Sequence, residues 1–178
     1  MNTLLGWTAR AVALGAALMA TTQTVCAKDA FDAVKCDGDV AKALVGGKIG
    51  NEPVAAIEKR HAAIGLRDEG GDEISDSVSY QSWTICGASY HLLQRGNVVR
   101  DVVRADHSKS APEFVGTCST KGAATKFQVL AILDAGDADP LRAKSAWRID
   151  EANAKFVSIA PEGLACPRSG IATADGGR

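Results

Sequence analysis

Cys36, Cys86, Cys118 and Cys166 constrain this chain more than any other feature, because its fold must bring them together in pairs or around a metal. They are separated by 50, 32 and 48 positions. Structural zinc takes its ligands in close pairs such as C-x2-C, and no such pair occurs. Disulfides are therefore expected, and four cysteines allow three pairings. The expected pairing is Cys36 with Cys86 and Cys118 with Cys166. The first would tie a helical N-terminal segment to a sheet, and the second would secure the chain end.

A fifth cysteine, Cys26, falls in a segment that reads as a secretory leader, residues 1–27. Arg10 is its only charge, Ala11 to Ala20 is an unbroken apolar run, and Val25-Cys26-Ala27 is a small-x-small cleavage pattern. The apolar run is about half of the ~20 residues a membrane-spanning helix needs. Gln23 stands where a lipoprotein signal carries Leu, so Cys26 is read as part of the discarded leader. Cleavage after Ala27 leaves a single domain of roughly 150 residues, long enough to bury about two thirds of its unfolded surface. Disulfides persist in oxidising compartments, so a periplasmic or secreted location is expected.

The mature chain divides by pattern into a helical first part and a strand-rich remainder. Asp37-Gly38-Asp39 precedes Val40 to Val45, and Gly46-Gly47 follows: an Asp cap, apolar residues at i and i+4, and a glycine stop. A second helix is predicted with Asn51 as cap, Pro53 in its first turn, Val54, Ile57 and Ile64 on one apolar face, and Gly65 as its stop. Glu58, Lys59 and Arg60 should look outward. Val78 to Leu93 reads as one central strand, with Val78, Tyr80, Cys86, Tyr90 and Leu92 on one face and Trp83, Ile85, His91 and Leu93 on the other. Gln94 to Asn97 turns it into Val98 to Val103. Further strands are expected at 114–118, 126–133, 146–149 and 155–159, with Asn153 as a left-handed turn residue. The predicted class is α+β, with two short N-terminal helices on one face of a mainly antiparallel sheet. The domain should span 28–168, with 169–178 as a disordered tail.

Strong chemical motifs are missing. There is no phosphate-binding glycine loop, no H-E-x-x-H helix and no C-x-x-C pair. Gly87-Ala88-Ser89-Tyr90-His91 lacks the second glycine of a nucleophile elbow, so Ser89 and His91 read as strand residues. His61 reads as a helix-flank residue. The acidic stretches 68–73 and 134–139 lack the register of a calcium loop and read as solvated turns. No cofactor or metal is expected. The net charge of −1 and the lack of a basic cluster speak against nucleic acid as a partner, and no second apolar segment suggests stable membrane insertion. The candidate recognition loop lies between two strands and offers Asp106, His107, Ser108, Lys109 and Ser110. The favoured reading is a binding or inhibitor-type module facing an envelope or extracellular protein. The alternatives are a small hydrolase using His107 or His91, and a structural domain of the cell envelope.

Overall fold

The computed structural model describes residues 28–105, 111–168 and 171–172. The leader 1–27, the candidate loop residues Asp106, His107, Ser108, Lys109 and Ser110, and most of 169–178 lie outside them. The architecture is α+β, with two short helices near antiparallel sheet and two disulfides, Cys36–Cys86 and Cys118–Cys166. None of the described helices is long and apolar enough to cross a membrane.

Helix α1 (Val40–Leu44) is capped by Asp39, whose side chain accepts from the Lys42 amide at 3.0 Å. The cap is thus two residues later than Asp37. Helix α2 (Val54–Arg60) starts after Pro53 and has no side-chain cap. Asn51 is therefore free for another role. A short 3-10 turn at Ala62–Ile64 carries the chain to Gly65. Ile57 is buried, but Val54 is 41% exposed, so the apolar face of α2 is narrower than its sequence suggests. Both helices are too short to persist alone and depend on the sheet beneath them.

That sheet is a meander of β1 (Arg67–Ser75), β2 (Val78–Ile85), β3 (Ala88–Arg95) and β4 (Val98–Ala105). Two features differ from the sequence reading. The acidic stretch 68–73 is strand β1, not a turn; it forms the exposed edge, where charged side chains deter further pairing. The 78–93 run is two strands, because the chain reverses at Cys86 (φ 53°) and Gly87 (φ 78°). Two successive positive φ values match the twist of a two-residue hairpin turn. This reversal changes which side chains share a face. Trp83, Ile85, Tyr90, Leu92 and Val99 pack with Phe31, Val40, Leu44 and Ile57 from the helical layer. Val78, Tyr80 and Leu93 point the other way.

The opposite face meets a second sheet, where a single sheet was expected. It consists of β5 (Glu113–Gly116), β6 (Ser119–Thr120), β7 (Ala123–Ala124), β8 (Val129–Leu133), β9 (Leu141–Asp150), β10 (Lys155–Ile159), β11 (Leu164–Cys166) and β12 (Ile171–Ala172). Strand β8 is buried throughout because both its faces are covered. Leu130 meets Val78, Tyr80 and Leu93 of the first sheet, while Val129, Ala131 and Leu133 join Phe114, Leu141 and the Cys118–Cys166 pair in a further core. The left-handed residue of the β9–β10 turn is Ala154 (φ 48°), not Asn153, which instead bonds back to Asp150. Within the segment read as a tail, Ile171–Ala172 pairs with the open edge of β5, whose backbone groups need partners. Polar stitches join the sheets: the Phe156 amide donates to Asp101 Oδ2 at 2.8 Å, and Arg95 donates to the Glu151 and Ala152 carbonyls.

Candidate functional site

Three groups of side chains outside the candidate loop could carry a function. The first is Tyr80, His91 and Glu113, at the junction of the two sheets. Tyr80 Oη and His91 Nδ1 share a hydrogen bond of 2.8 Å, and His91 Nε2 lies 3.6 Å from Glu113 Oε1. His91 is fully buried. Burial, reinforced by the Glu113 charge, holds the Tyr80 phenol far above its ordinary value. Because the folded pKa exceeds the unfolded one, the stability this group contributes is present below about pH 10 and falls as pH rises beyond that. In an alkaline absorbance titration, the Tyr80 phenolate is expected to appear only together with unfolding. A reversible phenolate from both tyrosines in folded protein would contradict this. The hydroxyl bonded to His91 Nδ1 is that of Tyr80.

The second group is Asp29, Asp32 and His61, whose ligand atoms lie within 4.8 Å of one another. A cation already serves this cluster. Arg60 donates to Asp29 Oδ2 and to Glu52 Oε2, each at 2.7 Å, and its Nε reaches His61 Nε2 at 3.1 Å. Asp29 Oδ1 also accepts the Phe31 amide. The arrangement is that of an ion-pair network fastening the N-terminal segment to α2. Arg60 stays at the surface, 41% exposed, while it pairs with these groups, and the half-buried Glu58 accepts the Asp68 amide.

The third group forms a cleft of about 400 Å³ at the other end of the first sheet. Its floor is the face shared by Ser79, Gln81 and Gln94, where Ser79 and Gln94 are a cross-strand pair. One wall is the 49–51 loop with Asn51, and the other is the β3–β4 turn with Asn97. The walls are joined by the Ile49 amide donating to the Asn97 carbonyl at 2.9 Å. Gly47 makes this seam possible: a Cβ there would lie 2.4 Å from Ala30 Cα, so a side chain would push the N-terminal segment off. Gln81 is oriented by the Trp83 indole, which donates to its Oε1 at 3.2 Å. Gln94 is only 4% exposed and lines the cleft floor. A carboxamide in that position offers its donors and its acceptor to whatever fills the cleft.

None of these cleft residues belongs to the sequence-derived site. Gln81 read as an ordinary strand position, Gln94 as the first residue of a turn and Asn51 as a helix cap. Only the tight turn at Gly96-Asn97 was visible in the pattern. The candidate loop begins after Ala105, at the far end of β4, roughly 23 Å from the cleft by strand rise. Comparison of the chain with family models, curated proteins and solved structures finds no match.

Proposed function

We propose that the chain is the precursor of an exported binding domain, periplasmic or secreted, that acts without covalent chemistry and takes its ligand in the cleft over Gln94. The observation that carries this reading is a concavity of ligand size lined by four carboxamides, with the nearly buried Gln94 at its floor. The leader-like N-terminus and the two disulfides support export. Enclosure of His91 between the sheets argues against a hydrolase built on that residue. On sequence grounds, the 106–110 segment is the further contact we propose for an envelope or extracellular protein.

Gln94→Leu is the discriminating variant. Replacing a carboxamide that serves a ligand rather than the fold is neutral or stabilising, whereas removing a structural hydrogen bond is costly. The mature variant is therefore expected to unfold at the parent temperature or above. The parent protein, recovered from the periplasm or medium with an N-terminus near Lys28, should be stabilised by low-molecular-weight envelope material. At saturation near 100 times Kd this amounts to about 2.7 kcal/mol. Gln94→Leu should show no such gain. A variant that unfolds well below the parent, or that keeps the ligand-induced gain, would overturn the proposal.

A further inference from the structure

We infer that the cleft recognises an uncharged polyhydroxylated ligand, of the size of one or two sugar rings. This inference rests on the cleft being a binding site and adds the chemistry of what enters it. The polar lining is Asn51, Ser79, Gln81, Gln94 and Asn97: four carboxamides and a hydroxyl, without a charged side chain. A phosphate or carboxylate drawn into such a place would lose hydration without meeting a cation, which is strongly unfavourable. An apolar ligand finds little to pack on, since Ile49 is the one large apolar side chain of the lining.

Each carboxamide offers two donors and an accepting oxygen. A sugar hydroxyl also donates and accepts, and adjacent ring hydroxyls present both roles side by side. Gln94, at the cleft floor, offers donors and an acceptor to a ligand. Gln81 is pinned through its oxygen by Trp83, which leaves its NH2 group as a fixed donor. The floor is thus partly pre-organised, which lowers the entropy cost of binding.

A peptide is the competing neutral ligand. Peptides add to open sheet edges or lie in extended grooves. This cleft sits on a sheet face instead, and its two walls are tied together by the Ile49–Asn97 hydrogen bond. A volume of about 400 Å³ holds a short compact ligand better than an extended chain.

The mature disulfide-bonded protein should be titrated with maltose, cellobiose and N,N′-diacetylchitobiose. Parallel titrations use a galacturonic acid dimer and a neutral tripeptide blocked at both ends. The readout is the nuclear magnetic resonance of the side-chain amides and of the Trp83 indole N–H. At least one neutral disaccharide is expected to move the Gln81, Gln94 and Trp83 signals, with Kd on the order of 10⁻⁴–10⁻³ M. Gln94→Leu and Asn97→Ala should each weaken that binding about tenfold or more, because each removes ligand hydrogen bonds. Affinity should change less than about twofold between low and high salt, since no charges meet. If the blocked peptide or the charged dimer binds through these signals and no neutral sugar does, the ligand class is overturned while the binding site stands. If none of the five probes moves any cleft signal and envelope material also fails to stabilise the protein, both are overturned. If envelope material stabilises the parent but no sugar binds, only the ligand class is overturned.

Discussion

Mature protein carrying Cys118→Ala and Cys166→Ala is expected to unfold about 8–16 °C below the parent, from the usual 2–4 °C per kcal/mol at this size. The bridge spans 48 positions, and the chain-entropy model assigns a loop of that length about 4 kcal/mol. Both half-cystines are buried, at 1% and 0% exposure, inside the core that includes Phe114, Val129, Leu133 and Leu164. Alanine there adds packing loss to the entropic term. Small strands depend on the same bridge: β6 and β11 pair beside it through only two residue pairs. Parallel chemical denaturation should show a lower midpoint and a steeper dependence, because an unbridged unfolded chain exposes more surface. A shift below about 3 °C would mean that the unfolded state keeps this region ordered without its bridge.

Trp83→Ala is expected to cost about 3–5 kcal/mol, the usual range for truncating a buried large aromatic. Trp83 is 1% exposed, and its ring lies 5.1 Å from that of Phe31 at a tilt of 58°, an edge-to-face contact between sheet and helical layer. Tyr90 is its cross-strand partner on the same face. Removing the indole would therefore leave a cavity between two layers that only collapse of the helical layer could fill. It would also release Gln81. Trp83→Phe separates the two effects: it keeps much of the packing and loses only the indole donor. Urea denaturation followed by Trp147 emission measures both variants. A cost below about 1.5 kcal/mol for the alanine variant would show that the helical layer contributes little to global stability.

The cysteine pairing was readable because spacing excluded a zinc site, one bridge could tie the helical segment to the sheet, and the other could secure the chain end. The first helix and the Gly96-Asn97 turn followed from local capping and turn chemistry, whereas the second helix forms without the Asn51 cap expected of it. The faces of the first sheet did not. A hairpin with a two-residue turn pairs residues of opposite parity, so Trp83 faces the same way as Tyr90, and Tyr80 the same way as His91. Read as one continuous strand, 78–93 put each of those pairs on opposite faces. Its length was the available signal, because strands of five or six residues are usual and sixteen is not. Cys86-Gly87 was the only break, and Cys is not a customary residue at positive φ. Strand β1 was hidden by Asp, Glu and Gly, which are poor strand formers in general but suit an exposed edge. The cleft was illegible for a different reason. Its residues come from the 49–51 loop, two strands and a turn, and no sequence spacing announces that they converge.

The two covalent rings, 36–86 and 118–166, do not overlap along the chain. The helical layer and the first sheet come entirely from the residues up to Ala105, and the second sheet from Glu113 onward. A backbone cut inside either ring leaves its pieces tethered through sulfur, so the molecule tolerates a nick there without falling apart. A cut between Ala105 and Ala111 is different in kind. It yields two separate stapled fragments that meet through an apolar seam including Val78, Tyr80, Leu93, Leu130 and Ile149, the approach of His91 to Glu113, and the Asp101 and Arg95 hydrogen bonds. The fold is thereby divisible at one place into complementary halves that can be made apart and brought together, with the whole cleft residing on the first of them.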